Sequence, residues 1–229
     1  MNEQPKRDPY PRAPLWWLGF AMAVATVVAA PAVDAEEPGP GTPAKGRFLI
    51  ASRELLDPNF VQTVVLLVDY SSEGAMGVIV NRPTKTRVAK VLPELDEVQE
   101  RDETVWVGGP VATWQMVLLA RSTMAQEGTQ IVFEDVIFSG SSDVLKRLIG
   151  EDGEFRIYAG HAGWAPGQLE REIDRGGWHV LPAKVDMVFD SAPHDLWLEL
   201  IRRSAVQWTS LIPATDETWL DARRHPARE

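Results

Sequence analysis

The sequence contains no cysteine among its 229 residues. A chain without thiols forms no disulfide, binds no metal through thiolates, has no cysteine nucleophile and carries no lipid on an N-terminal cysteine. The absence suits export into an oxidising compartment, where unpaired thiols mispair, although cysteine-free chains also occur in the cytosol. Thiol catalysis and cysteine-based redox chemistry are therefore excluded.

Basic charge is also in short supply. Lys and Arg number 23 against 33 Asp and Glu, which gives a formal net charge of −10. Because cations that neutralise phosphates supply most of the affinity for nucleic acids, this balance argues against DNA or RNA as the main partner. The short basic pairs Arg202-Arg203 and Arg223-Arg224 are interpreted as solvated helix ends.

Recognisable catalytic motifs are lacking as well. The chain has no G-x-S-x-G elbow, no P-loop and no dinucleotide-binding glycine pattern, and its four histidines show no metal-ligand spacing. We therefore expect no metal site, no cofactor and no motif-based catalytic residue. His161, which lies between two glycines after a buried strand, keeps two interpretations open. It is a loop histidine satisfied by backbone groups, or the general base of a hydrolase acting with Glu170 or Asp57.

The N-terminus has the pattern of an export segment. Three basic residues precede an uncharged apolar run, Leu15–Val33, and Val33 and Ala35 are the small residues that signal peptidase accepts. Residues 1–35 are predicted to be a signal peptide cleaved after Ala35, which would release a periplasmic or secreted protein. The alternative is an uncleaved anchor, because residues 15–33 are just long enough to cross a bilayer.

The rest of the chain divides into three parts. Residues 36–46 are rich in Pro and Gly and predict a flexible linker, residues 47–205 predict one folded domain, and residues 206–229 form a polar C-terminal extension. In the domain, β-branched and apolar runs at Val61–Tyr70 and Ala75–Asn81 flank a turn and predict a largely buried β-hairpin. Further strands are predicted at residues 48–51, 105–107, 115–120, two within 130–138, 155–159 ending at Gly160, 178–181 and 185–189.

Helices are fewer than strands in this reading. They are predicted at residues 88–92, at 144–149 behind a Ser-Ser-Asp cap, at 168–175, and from Pro193 with Leu196, Trp197, Leu200 and Ile201 on one face. Hairpins that alternate irregularly with helices indicate an α+β fold with a mixed sheet. Glycine- and tryptophan-rich turns at 74–83, 108–110 and 160–170 are either tight turns required by the fold or the walls of a binding cleft.

Several of these turns carry a resemblance. The chain contains, in this order, Phe48-Leu49-Ile50-Ala51 with Asp57-Pro58-Asn59-Phe60, the stretch from Gly74 to Pro83, Gly108-Gly109-Pro110-Val111, Gly163-Trp164 with Gly167-Gln168-Leu169-Glu170, and Gly177-Trp178. This order of motifs is the one seen in the bacterial AlgH/YqgE family. Over residues 47 to about 205 the chain therefore resembles that family. It departs from the family in its long N-terminal leader.

The resemblance implies a fold and a surface, and no enzymatic activity. The implied fold is α+β, with a mixed, bent β-sheet that forms a partial barrel flanked by helices. No catalytic residue is carried over, and the motif residues together with His161 are expected to form a binding surface. The residues of this expected surface are Asn81, Arg82, Pro83, Gly108, Gly109, Pro110, His161, Trp164, Gln168, Glu170 and Trp178.

The functional expectation follows from these observations together. We expect a non-enzymatic envelope protein that binds a partner protein, a peptide or a small ligand through its Gly/Trp-rich loops. The hydrolase stands as an alternative. The family's label as a transcriptional regulator is a further one, and the acidity and the leader argue against it, because an exported protein does not meet the chromosome.

Overall fold

The computed structural model describes residue 39 and residues 41–122, 127–149 and 153–211, and it describes the side chains of all of these except residue 97 and residues 206–211. The predicted signal peptide or anchor, residues 36–38 and 40 of the linker, and residues 212–229 of the C-terminal extension lie outside these ranges. No helix in the described ranges combines the length and the apolarity that crossing a membrane requires.

Ten strands and five helices make up the described domain. The strands are β1 (Arg47–Ala51), β2 (Val64–Ser71), β3 (Gly74–Ile79), β4 (Pro83–Arg87), β5 (Thr104–Val107), β6 (Val111–Arg121), β7 (Gln130–Phe133), β8 (Val136–Ser139), β9 (Phe155–Trp164) and β10 (Trp178–Pro182). The helices are α1 (Val88–Val91), α2 (Ser142–Ile149), α3 (Gln168–Asp174), α4 (Val185–Phe189) and α5 (Pro193–Leu211), with a 3-10 turn at Asp96–Val98. The α+β class is confirmed.

β9 is the central strand of the sheet. The strand order is β10-β1-β2-β3-β9-β6-β8-β7, and β5 pairs with both β4 and β9. The first half of β9 lies between β5 and β6, whereas its last residues pair with β3. Every described pairing is antiparallel except that of β5 with β9.

The expected partial barrel is wrong. The sheet is large and neither closed nor strongly curled, because no ladder among the described strands joins β10 at one end to β7 at the other. The motif resemblance implied a bent sheet, but motifs at strand ends carry no information on closure.

Three apolar layers hold the fold together. Alternate residues of one strand enter different layers, so that Phe48 and Ile50 lie in the central layer with α4 and α5, whereas Leu49 and Ala51 lie in the layer beneath α3. A third layer covers the other face of β5, β6 and β9 and includes residues of α2. Strands buried on both faces explain why the predicted hairpin is almost wholly apolar.

Two secondary-structure predictions are wrong. Residues 185–189 are a helix, because Met187, Val188 and Phe189 are all buried on one helical turn that packs into the central layer. β9 does not stop at Gly160: glycine adopts a φ of +72° there, and pairing resumes at His161 with Val111. A residue with a side chain would resist that backbone angle, so glycine lets the strand bend and continue.

The boundaries of the domain differ from the prediction at both ends. Gly46, which the sequence assigns to the linker, donates its amide to the Leu67 carbonyl at 2.9 Å and accepts from the Ala183 amide at 3.2 Å. α5 continues to Leu211, so the predicted boundary at residue 205 falls inside a helix. The chain is therefore tied to the sheet before β1 begins.

Candidate functional site

Asn81 and Arg82 brace the loop that carries Asp57 to Gln62. The Asn81 side chain is buried, accepts from the Val64 amide at 2.9 Å and donates to the Gln62 carbonyl at 3.0 Å. The Arg82 guanidinium donates to the Asn59 carbonyl at 2.7 Å and to the Val61 carbonyl at 2.9 Å. The polar side-chain groups of both residues bind backbone groups in or next to this loop, so in this structure the two residues support the loop.

Replacing Asn81 with alanine is expected to lower the free energy of unfolding by about 2 kcal/mol, because the buried Val64 amide loses its acceptor and the Gln62 carbonyl loses its donor. Urea unfolding of the two proteins measures the change. Asn59→Ala is the matched control, because the Asn59 side chain is exposed and only its backbone is used by Arg82. An equal loss in both variants would contradict the bracing role.

The second glycine-rich turn packs directly against β9. A methyl group built on Gly108 would lie 2.1 Å from the Gly160 carbonyl oxygen, and one built on Gly109 would lie 2.2 Å from the His161 carbonyl carbon. The backbone of this turn thus fills the space that side chains would need. Gly108 and Gly109 are buried, whereas Pro110, which follows them, is exposed.

His161 lies on the face of β9 opposite α3. Its neighbours Ala162 and Trp164 point into the layer beneath α3, so strand alternation directs His161 to the other side, next to Val111 and Gly163. Glu170 is on α3 and accepts from the Tyr70 hydroxyl at 2.6 Å, while Asp57 accepts from the Asn59 amide at 2.8 Å. His161 and α3, which carries Glu170, therefore lie on opposite sides of β9.

Burial lowers the pKa of His161 below its ordinary value of 6.5, and it acts in the same direction on His179. Between the folded-state pKa and 6.5 the unfolded chain binds protons that the folded chain does not, so stability is present above pH 6.5 and falls as the pH drops through that value. We expect a lower thermal midpoint at pH 5.5 than at pH 7.5. His161→Gln should reduce this difference, whereas replacing the exposed His194 should not; equal pH profiles in all three proteins would contradict the assignment.

An indole–carboxylate cluster, made of Phe60, Trp164, Gln168, Glu172 and Trp178, lies beneath α3. Glu172 accepts from both indole nitrogens at 2.9 Å, and its other oxygen accepts from the Gln168 amide at 2.9 Å. The Phe60 ring lies 6.2 Å from that of Trp164 and 5.5 Å from that of Trp178. The cluster connects β9, α3 and β10 to the loop that Asn81 and Arg82 brace.

Glu170 lies on the same helix as Glu172, and its carboxylate has a different hydrogen-bond partner. Its carboxylate accepts from the Tyr70 hydroxyl, and this hydrogen bond, with partial burial and the carboxylate charge, raises the pKa of Tyr70 to about 12. Tyr70 is at the end of β2, so the pair ties α3 to the β2-β3 hairpin.

The expected binding surface divides into buried and exposed parts. Asn81, Gly108, Gly109, His161, Trp164 and Trp178 are buried, Arg82, Pro83, Gln168 and Glu170 are half-buried, and Pro110 is exposed. Sequence reasoning missed Glu172 as the acceptor shared by the two indoles, although its spacing of four residues from Gln168 places both on one helical face. Most of the motif residues thus form the scaffold.

An irregular and exposed segment of β6 follows the Gly108-Gly109-Pro110 turn. Val111 pairs with His161 and Met116 with Ala159, so the four residues Ala112–Gln115 lie opposite Gly160 alone. We call this segment the β6 excursion. Ala112 has a φ of +47°, and the Trp114 side chain is 84% exposed. Bulges of this kind redirect side chains beside functional sites.

Apolar residues surround the excursion. Val107 is 37% exposed and Val111 is 42% exposed, with Pro110 between them. Sequence reasoning began this strand at Gln115 and therefore missed Trp114; the available signal was a tryptophan in an uncharged run directly after a Gly-Gly-Pro turn. In the part of the chain that the structure describes, no three His, Asp or Glu side chains are grouped to hold a metal ion.

Known proteins share both the sequence and the fold. Residues 48–209 match the model of the AlgH-like family. A UPF0301 protein of Anaeromyxobacter dehalogenans is 38% identical over 168 residues, which cover 68% of this chain and 85% of the relative. Another, from Streptomyces coelicolor, is 34% identical over 167 residues, 69% of this chain and 85% of the relative.

Two solved structures have the same architecture. The solution structure of AlgH from Pseudomonas aeruginosa is 30% identical and superposes with a TM-score of 0.57 over 81% of this chain and 95% of that chain. The crystal structure of a Corynebacterium diphtheriae protein has a TM-score of 0.62 at 24% identity, over 72% and 90% of the two chains, and supports the fold alone. On the family match and the identity to these relatives, the chain belongs to the AlgH-like family.

Proposed function

We propose that this protein is a non-enzymatic binding protein that contacts another polypeptide chain through the β6 excursion and the apolar residues beside it. The observation that carries the proposal is the 84% exposure of Trp114 on a segment that departs from the sheet. A tryptophan buried in a contact contributes more to protein association than most residues, so an exposed one is a candidate anchor for a partner. Val107, Pro110 and Val111, which precede Trp114 in the chain, are also exposed.

Backbone strain supports the same assignment. Ala112 occupies a left-handed conformation that alanine rarely adopts, opposite the left-handed Gly160. Such conformations cost on the order of 1–3 kcal/mol each and persist where the surrounding structure enforces them, often at binding or catalytic segments. Here the strained residue sets the position of Trp114, two residues further along.

The proposed contact does not involve the tryptophans of the motifs, Trp164 and Trp178. Trp164 and Trp178 donate to Glu172 and pack against Phe60, so their polar and apolar surfaces are already used within the domain. Pro110 is the expected surface residue that stays exposed beside the excursion. The same surface would accept a peptide or a folded protein, since both present backbone and side chains to an open strand.

Site-specific photocrosslinking tests this function. A photoreactive amino acid replaces Trp114 in one protein and Leu56 in another, because Leu56 is 82% exposed on the loop between β1 and β2 and serves as the matched control. We expect discrete polypeptide adducts from position 114 in living cells, identified by mass spectrometry, and none in common from position 56. Absence of adducts at 114, or the same adducts at both positions, would overturn the proposal.

We further propose that the protein acts outside the cytosol after cleavage behind Ala35, because a basic flank, the apolar run 15–33 and small residues at 33 and 35 precede the domain. N-terminal sequencing of the protein recovered from cells decides the form. A terminus at Glu36 supports a released protein. An intact leader in a membrane fraction supports the anchored alternative, and an intact leader in the cytosol contradicts export.

A further inference from the structure

The β6 excursion is also an open sheet edge. β8 pairs with β6 only along Leu118–Arg121 and then leaves the sheet for α2, so no described strand lies beside Val111–Met116 on the side away from β9. On the β9 side, Ala112–Gln115 face Gly160 alone. An unpaired strand segment presents amide and carbonyl groups in the pattern that another strand recognises.

Two other edges of the described sheet, β4 and β7, carry some of the protection that natural edges usually have. On β4, Lys85 and Arg87 are exposed and Pro83 lacks an amide hydrogen. On β7, the Gln130 side chain donates to the Val68 carbonyl at 3.2 Å and connects this edge to β2. Charges, prolines and covering contacts all discourage strand addition. Residues 112–115 of the excursion include no charged residue and no proline, because Pro110 precedes them.

The same segment also differs from the chain as a whole in that it carries no charge. The chain carries a net charge of −10, yet the sixteen residues Val105–Ala120 contain no Asp, Glu, Lys or Arg. Two copies of an acidic protein repel each other wherever their acidic residues approach, and like charges opposite each other on paired strands are destabilising. An uncharged edge meets its own copy without any like-charged pair, which makes it complementary to itself.

We propose that the occupant of the β6 excursion is a second copy of this chain, bound by antiparallel pairing of the two excursions about a twofold axis near Trp114. This inference rests on the proposed function and names the partner of that surface. Antiparallel self-pairing is the isologous arrangement that twofold symmetry produces, in which each residue meets the same neighbours in both copies. Centring on Trp114 brings the two indoles together, and aromatic cross-strand pairs stabilise antiparallel sheets.

The size and charge of the contact determine how the dimer behaves. A pairing of about six residues on each side is small beside the interfaces of permanent dimers, so the association depends on protein concentration. Because the attraction is apolar and the long-range charge term is repulsive, added salt screens the repulsion and strengthens the dimer. A partner attracted by the acidic surface would instead bind more weakly in salt.

Sedimentation velocity of the full chain tests the proposal over a concentration series in low and high salt, starting from the monomer mass of 25.5 kDa. We expect a species of twice that mass that becomes more abundant as salt rises. Trp114→Lys should weaken self-association at least tenfold, because it removes the indole and places two cations at the axis. Leu56→Lys, which changes an equally exposed apolar residue to the same charge, should leave it unchanged.

The outcomes separate this proposal from the function on which it rests. Loss of the dimer in Trp114→Lys alone supports it, and circular dichroism of the variant shows that the fold is retained. A monomer at all concentrations, equal weakening by Leu56→Lys, or weakening by salt overturns the second copy as occupant. If position 114 crosslinks to another protein while the chain stays monomeric, the binding function stands and the dimer does not. If neither crosslinks nor dimers appear, both fail.

Discussion

Glu172→Ala is expected to lower the free energy of unfolding by about 3 kcal/mol or more, since unpaired buried donors cost roughly 1–3 kcal/mol each. Glu172 accepts from Trp164, Trp178 and Gln168, and both tryptophan side chains are buried. Alanine leaves both indole N–H groups without their acceptor and opens space beside two large rings. Urea unfolding followed by tryptophan fluorescence measures the loss and reports the change around the indoles.

The matched control for this prediction is Glu170→Ala on the same helix. Glu170 accepts one hydrogen bond, from the half-buried hydroxyl of Tyr70, which water can replace in part. We expect a loss of about 1 kcal/mol in that variant. Glu172→Gln keeps an acceptor for the indoles and should lie between the two. If Glu170→Ala destabilises the protein as much as Glu172→Ala does, the cluster is not organised around Glu172.

Gly108→Ala has the other large expected effect, a loss of about 3 kcal/mol or more, or failure to fold. The added methyl group would lie 2.1 Å from the Gly160 carbonyl oxygen and 3.0 Å from the Tyr158 Cβ atom, so β5 and β9 must separate. Overpacking of a well-ordered core costs roughly 1–3 kcal/mol even where side chains can move, and here the obstacle is backbone. Thermal unfolding of the purified variant, or its yield in the soluble fraction, gives the result.

Gly163→Ala is the control for the glycine prediction. Gly163 belongs to the same central strand, but a methyl group there meets only ordinary contacts, with the Val111 Cγ2 atom at 3.9 Å and the His161 Cδ2 atom at 4.0 Å. We expect a change within about 1 kcal/mol. Gly108→Ala as stable as the parent would show that the β5-β6 turn shifts freely, and the close approach to β9 would then not be a constraint.

The elements best predicted from the sequence are those whose burial leaves a repeated pattern. The β2-β3 hairpin is confirmed, because two apolar runs around a turn have few alternatives, and α5 is confirmed through its buried face of Leu196, Trp197, Leu200 and Ile201. Residues 185–189 are too short for periodicity to separate a strand from one helical turn. Packing against the central layer decides that case, and packing is not visible in a five-residue window.

The candidate site was harder to predict than the fold. The motif tryptophans suggest an exposed binding surface, but Trp164 and Trp178 are buried because Glu172 and Phe60 approach from α3 and from a loop about a hundred residues earlier in the chain. The long-range contact with Phe60 has no local signal. Trp114 lies just before the strand predicted at 115–120, and the unequal pairing of β6 with β9 shows that it belongs to an irregular part of that strand.

The central position of β9 has a consequence for the order in which the protein can fold. During synthesis β3 can pair with β2 and β5 with β4 early, but β3, β5 and β6 all lack their shared partner β9 until residues 155–164 are made. Pairings so distant in sequence form slowly, since the intervening chain must close a large loop first. The growing chain therefore cannot complete its central sheet until more than two thirds of it exist.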